Sequence, residues 1–535
     1  MTFYYPKYRN FRFVSILMMF FIIGIVQEQV VAQHVTIPLQ NELNYRTEKE
    51  FFSSTDFHSG VKPFVINKRS SFDSLNSLLD AHTQNRALDK LLNDNLINLE
   101  KSNFFLSINP IISIAPIFDS ESSVIIDDYQ FGLALDGYFT EKLTFSINGF
   151  YGLRSFSGEF DYLVDSTNII PHYGKVLSKR DYNYDYYSFN GYISYQPWKY
   201  INFQFGKAKN FWGEGYRSLF LSDNSNSYPY FKATVDIWKF KYIWMVGALD
   251  DVDSEKNPNE LFSKLQFSHY LSWNATKWLN FNFFESIISN PIDSMGVSYF
   301  NISYLNPVIF FRPVEFSGGS ADNALLGLGF KLKLLKKYQI YSQLIIDEFV
   351  LSEIKSGKGW WGNKYGIQVG VKMFNLFNVN NLMILSEFNL IRPFTYSYSN
   401  TIQNYGNYRQ AMAHPSGANL KEAVALLHYH KKRFSTQIKG VFQISGNDID
   451  SVSYGKDIYK PYTLRSGDYG HYTTQGLLTK FMHLELKAGW LVNPHYNTQI
   501  QFSISSSQTN INKNAKSISF LLGIKTLIFN EDYDF

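Results

Sequence analysis

Along 143–151 the chain sets Leu143, Phe145, Ile147, Gly149 and Tyr151 on one face and Thr144, Ser146, Asn148 and Phe150 on the other. That is the two-residue period of a β-strand. From Asn103 onward the alternation returns in pieces of ~10 residues. In the hairpin 188–206, Phe189, Gly191, Ile193 and Tyr195 lead to a turn at Gln196-Pro197-Trp198-Lys199, and Ile201, Phe203 and Phe205 return opposite Asn202, Gln204 and Gly206. A second hairpin turns at Asn274-Ala275-Thr276-Lys277 and places Leu279, Phe281 and Phe283 against Asn280, Asn282 and Phe284. One face of each suits hydrocarbon and the other suits water.

Short turns alternate with longer polar connections, such as 158–185, 249–259 and 447–470. Outer-membrane barrels combine short periplasmic turns with long external loops in the same way. The predicted fold is therefore all-β: a transmembrane antiparallel β-barrel spanning 101–535. At roughly 24 residues per strand and connection it holds about 18 strands, and bacterial barrels take even numbers. An interior that wide is not filled by the strands' own side chains. Tyr186, Tyr187, Trp198 and Tyr200 stand near strand ends, where amphipathic rings suit the headgroup level. The last strand is predicted over 519–529, with Phe520, Leu522, Ile524, Thr526 and Ile528 on one face and Glu531–Phe535 overhanging it.

The period changes upstream. Phe72, Leu75, Leu78, Leu79, Leu88, Leu91, Leu92 and Leu96 fall mostly three and four apart, which predicts one or two short amphipathic helices. Residues 33–100 thus form a partly helical segment on the periplasmic side. Residues 1–32 have the build of a cleaved signal peptide: Lys7, Arg9 and Arg12 precede the apolar run Phe13–Val26, and Val30-Val31-Ala32 offers a cleavage site before Gln33. The run is shorter than the ~20 residues a helix needs to cross a bilayer. Export of this kind places the barrel in the outer membrane of a Gram-negative cell, with lipid as its first partner.

Composition narrows the chemistry. The 535 residues contain no cysteine, which excludes lipidation after the signal, disulfides and thiolate metal sites. A formal net charge of +4 without any block of five or more like charges argues against nucleic acid as a partner. The sequence has no P-loop, no G-x-S-x-G and no H-E-x-x-H. His428 and His430 share a strand face but have no carboxylate at a supporting spacing for a metal. Asp347 and Glu348 are predicted to face opposite ways, and Asp347 and Glu353 would stand ~20 Å apart on a continuous strand. They make a poor pair for glycoside cleavage. A non-enzymatic barrel without cofactor or metal is the expectation.

The most specific segment is 206–230, with Trp212, Gly213, Glu214, Gly215, Tyr216, Arg217, Asp223, Asn224 and Pro229. Ring faces beside directional polar groups suit a sugar, whose C–H face stacks while its hydroxyls seek planar partners. The same residues also suit a tight reversal inside a barrel wall, with Arg217 paired to Glu214 or Asp223. Both readings stand on the residues alone.

The series Gly206-Lys207, Trp212-Gly213-Glu214-Gly215-Tyr216-Arg217-Ser218-Leu219 and Ser222-Asp223-Asn224 resembles the signature of the Wzi-type capsule assembly outer-membrane barrels. It is closer still to their relatives in gliding bacteria, the RemB branch. Further pieces follow in the same order: Asn306-Pro307 with 311–315, Asp322–Gly327, Arg392–Tyr396 and His414–Asn419. The resemblance implies an 18-stranded barrel with a small periplasmic helical element. It implies a role in holding or assembling surface polysaccharide without hydrolysing it and, in the gliding branch, in motility alongside gliding or surface-adhesin machinery. Glu285 resembles an acidic position of the family, yet strict alternation sets it with Phe281 and Phe283 unless a bulge shifts the register. Asp322 and Asn323 follow Gly318-Gly319 and suit a turn. The candidate ligand set is Trp212, Tyr216, Arg217, Asp223, Asn224, Glu285, Asp322, Asn323 and Arg392. The competing functions are a weakly selective diffusion channel and a scaffold for surface adhesins.

Overall fold

The computed structural model describes residues 35–66, 79, 83–122, 125–140, 142–252, 261–290, 302–307, 322–510 and 514–535. The expected leader, residues 70–78 and 80–82 of the expected helices, residues 253–260 of one long connection and motif residues 311–315 lie outside these. Among the described residues, eighteen antiparallel strands close into a barrel. They are β1 (Phe104–Ile114), β2 (Asp128–Phe139), β3 (Leu143–Ser155), β4 (Asn183–Trp198), β5 (Ile201–Ala208), β6 (Tyr228–Ile237), β7 (Phe240–Val252), β8 (Leu261–Trp273) and β9 (Leu279–Ser289). The second half comprises β10 (Asn323–Leu334), β11 (Tyr338–Glu348), β12 (Lys364–Phe374), β13 (Leu382–Ile391), β14 (Leu420–Lys431), β15 (Phe434–Asn447), β16 (Leu477–Asn493), β17 (Thr498–Asn510) and β18 (Asn514–Thr526).

Each strand pairs with its sequence neighbours, and β18 returns to β1. The seam is thin: Ile524 faces Ile114, and Leu521, Phe520 and Ser519 face the extension Ile117–Asp119. The Thr526 hydroxyl accepts from Ile112 N and donates to Ile112 O, each at 3.0 Å. A short strand, Ile97–Lys101, covers the other part of the β1 edge.

Alternation decides the two faces. Phe189, Ile193, Phe205, Leu484 and Leu522 lie exposed on the outside, while Gln204, Gln343, Gln368 and Gln443 are buried toward the lumen. Tyr187 is 65% exposed, but its neighbour Tyr186 turns inward, where its hydroxyl accepts from Gln130. Adjacent strand residues face opposite ways, so only Tyr187 of this pair can join Trp198 and Tyr200 at the outer surface. The short turns that follow even-numbered strands share one rim with the start of β1 and the end of β18; the long connections, with the short β17–β18 link, share the other.

The α-helices among the described residues are α1 (Asn41–Ser53), α2 (Arg86–Asn93), α3 (Gly158–Thr167) and the short α4 (Leu351–Ser356). Of these, α2 falls in the expected helical stretch, and 97–99 belong to a strand instead. None is long and apolar enough to cross a membrane among the described residues. Helix α1 has no leucine repeat because it packs against a polar wall: Glu48 reaches Lys372 at 2.7 Å and Glu42 reaches His428 at 3.3 Å. Phe52 meets the Phe374 ring at 4.9 Å. The last strand begins at Asn514 and stops at Thr526, three residues short of the predicted end. Leu527–Phe535 then turns into the lumen, drawn by basic groups described below.

Candidate functional site

The connection 209–227, between β5 and β6, folds inward rather than arching over the rim. Gly215 permits this, since a Cβ there would lie 2.1 Å from Glu387 Oε2 and 2.8 Å from the Arg217 carbonyl. Trp212 is fully buried against Tyr270 and Phe284, with centroids 5.5 and 6.0 Å away. Phe220 stacks on Phe284 at 5.1 Å. A second inward connection, 392–419, locks onto the first. Tyr396 donates to Leu219 O at 3.0 Å, Tyr405 to Phe220 O at 2.7 Å and Ser222 N to Met412 O at 2.7 Å. Motifs far apart in the chain thus form one packed plug.

Charge holds it in register. Arg217 donates to Glu422 at 3.1 Å and to Asp534 at 2.9 Å. The backbone N–H groups of Tyr216 and Arg217 donate to Glu387 at 2.9 and 3.1 Å. Asp534 also accepts from the Tyr216 hydroxyl at 2.7 Å and pairs with Lys439 at 2.9 Å. Burial pushes the Asp534 carboxyl up, but Arg217 and Lys439 outweigh it and hold the carboxyl well below its usual range. The expected partners of Arg217 are engaged elsewhere. Glu214 points across the lumen to Lys331 at 2.9 Å and to Ser59, with its pKa lowered to about 2 because these partners overcome its burial. Asp223 accepts from Asn530 at 2.7 Å, and Asn224 donates to Ala411 O at 3.1 Å.

The remaining candidates are dispersed. No register shift occurs at Glu285, which faces His269 on β8 and Leu326 on β10. It keeps the outward face with Phe281 and Phe283, and is 1% exposed. Residues 302–307 lie on this part of the outer wall, with Tyr304 5.3 Å from the Phe267 ring and Pro307 O accepting from Tyr242. Asp322 accepts from Tyr304 at 2.8 Å and from Gln403 at 3.1 Å, and Asn323 donates to Gln403 O at 2.9 Å. The bulge falls instead between Ile346 and Glu348. It lets Asp347 and Glu348, expected on opposite faces, share Lys364 at 3.1 and 3.2 Å.

At the long-loop rim stands a group the sequence reading missed. Trp361 packs 4.6 Å from Tyr462 and 5.9 Å from Trp360, with the Arg465 guanidinium 4.0 Å above its ring. Tyr398 lies 6.0 Å from Tyr462. Tyr469 and Tyr472, 53% and 63% exposed, belong to the same connection. Arg392 is a strut beneath the group, donating to Asn363 O at 2.8 Å and to Trp360 O at 3.3 Å. The doublet Trp360-Trp361 between Gly359 and Gly362 was the available signal. Its partner Tyr462 sits in a connection noted in the sequence only for its length.

The described residues thus form a closed eighteen-stranded antiparallel β-barrel with an apolar outer face, a plug in its lumen and aromatic loops at the long-loop rim. The fold is similar to that of Wzi of Escherichia coli, an outer-membrane protein involved in group 1 capsule assembly and a carbohydrate-binding β-barrel. The TM-score is 0.54 at 11% identity, over 92% of this chain and 100% of that one. OprD of Pseudomonas aeruginosa gives 0.42 at 9% identity, over 78% and 94%. OccAB4 of Acinetobacter baumannii gives 0.44 at 8% identity, over 80% and 98%. No family model and no curated protein matches the sequence.

Replacing Arg217 with Ala leaves Glu422 and Asp534 buried without their main cation, so it is expected to cost about 3–5 kcal/mol. The temperature at which the barrel loses its folded mobility on semi-native gels measures this; an unchanged temperature would refute the role. Acid gives a second test. Asp534 has a folded pKa below its unfolded value near 3.8, so its stabilisation is complete above that value and is lost as pH falls through the folded one. Docking of 527–535 should therefore survive from pH 7 to pH 4 and fail in stronger acid, read by pepsin cleavage and mass spectrometry. Release already at pH 5 would contradict the network.

Proposed function

We propose that this barrel sits in the outer membrane and holds an extracellular polysaccharide on its long-loop rim, without chemistry on the glycan. The observation that carries the reading is the rim group of Trp360, Trp361, Tyr398, Tyr462 and Arg465. It combines ring faces for the C–H surface of a sugar with a planar donor for its hydroxyls. The connections bearing it belong to the rim that faces outward in such barrels. The filled lumen below suits retention of a polymer at the surface. Trp212, Tyr216, Arg217, Asp223 and Asn224 serve this site from beneath, by fixing the plug on which the outer loops rest, and Arg392 by bracing the Trp360 connection.

The carbohydrate-binding character of Wzi supports the same reading, as does the resemblance of the 206–224 motif. For a part in gliding, with motility or adhesin machinery as partners, the support is the RemB-type resemblance of that motif. Trp361→Ala and Tyr462→Ala are each expected to weaken binding of polysaccharide purified from the producing cells about tenfold, equivalent to about 1.4 kcal/mol. Folded mobility should stay unchanged. Equal binding by both variants and the wild type would remove the rim site.

A further inference from the structure

The plug fills the lumen unevenly. Its apolar part, built on Trp212, Leu219 and Phe220, packs toward β7–β11. On the opposite side, along β15–β18, a cavity of about 510 Å³ stays open between plug and wall. The inward positions of β17 there are Gln499, Gln501, Ser503, Ser505, Ser507 and Thr509, all lining the cavity, and Ser503, Ser505 and Ser507 are only half-buried. Ten residues of strand cover ~34 Å. At a tilt of ~40° this is ~26 Å along the axis, matching the ~25 Å apolar band of a barrel. A hydroxyl and carboxamide track therefore runs through the membrane's full depth.

The final segment crosses this track. Glu531 pairs with Lys525 at 2.7 Å and Arg154 at 3.0 Å, and Asp534 with Lys439 and Arg217, each at 2.9 Å. After Thr526 the segment belongs to no strand, and its own N–H groups at Leu527 and Asn530 reach Asn497 O and Leu39 O, distant in the chain. Side-chain contacts rather than a β-ladder hold it: the ion pairs, the Asn530 carboxamide bonded to Asn41 N and Asp223, and Phe529 packed among Phe150, Tyr173 and Tyr186. It also presents rings to the cavity: Tyr533 and Phe535 lie 5.3 and 5.7 Å from Phe160.

We propose that 527–535 is a displaceable stopper in an off-axis conduit for small neutral polyhydroxy solutes, whose hydroxyls meet the serine and glutamine wall while their apolar faces meet the rings. The conduit is separate from the rim site and does not rest on it. A barrel wall needs no such strip of small polar residues for its own packing. Elsewhere inward serines such as Ser268 and Ser286 alternate with large side chains such as Tyr270, Phe284 and Tyr341, whereas β17 carries Ser503, Ser505 and Ser507 in succession.

The test uses full-length protein in planar bilayers and in liposomes with arabinose as the neutral probe. Wild type is expected to be nearly silent at 0.1 M salt. Glu531→Gln with Asp534→Asn should raise open events about tenfold, within the usual range of a coupling between two states, and admit arabinose. Adding Ser505→Trp, which narrows the wall without touching the ion pairs, should close the route again. An inserted double variant as silent as wild type, conduction that ignores Ser505→Trp, steady conduction by wild type at 0.1 M salt, or ion flow that excludes arabinose would each overturn the proposal. If the double variant does not insert, Glu531→Gln alone takes its place, and an inserted single variant as silent as wild type is then the negative result.

Discussion

A ring of eighteen strands encloses more space than its inward side chains can fill. Everything specific to this molecule follows from how that space is occupied. Two connections fold in from the long-loop rim, helix α1 enters from the short-turn rim, and the final segment doubles back after β18. The strands themselves obey a simpler rule, in which alternate residues meet hydrocarbon. That rule specifies a cylinder but leaves its interior undetermined.

The interior is settled largely by paired charge. Arg217, Lys439, Glu422 and Asp534 come from four separate stretches of chain and are linked by ion pairs through Arg217 and Asp534, while Glu387 accepts from the backbone N–H groups of Tyr216 and Arg217. Such buried ion pairs add little net stability over an apolar packing of equal volume, but an unmatched member is costly. Their consequence here is positional: one arrangement of the inward connections satisfies all of them. The apolar half of the plug, from Trp212 to Leu221, then packs against a fixed frame. The outer aromatic loops stand on that frame through Arg392, Tyr396 and the 392–419 connection.

The cylinder was legible in the sequence because a period of two is a local signal that repeats. The hairpin at 188–206 and the outward set Phe520, Leu522 and Ile524 were readable from alternation, and the strand count from the length of the strand-bearing region. The contents of the lumen were not. Alternation states that Gln343 or Glu387 points inward, but it says nothing of which loop residue it meets. Arg217 was visible as a buried-pair candidate, yet its partners lie 205 and 317 positions away, beyond any spacing argument. The assignment of Glu285 turned on a bulge that formed in β11 instead. The final segment read as an overhang because, apart from Lys525 beside Glu531, the partners of its carboxylates lie far away in sequence.

The central claim is that the inward connections form one body with the barrel wall. Amide hydrogen exchange of the detergent-solubilised protein, followed by mass spectrometry, tests it directly. Peptides covering 209–227 and 392–419 should exchange as slowly as those from β12 to β16, because their backbone groups are bonded inside the plug. Exchange of these two connections within seconds, at the rate of freely solvated loops, would contradict the account.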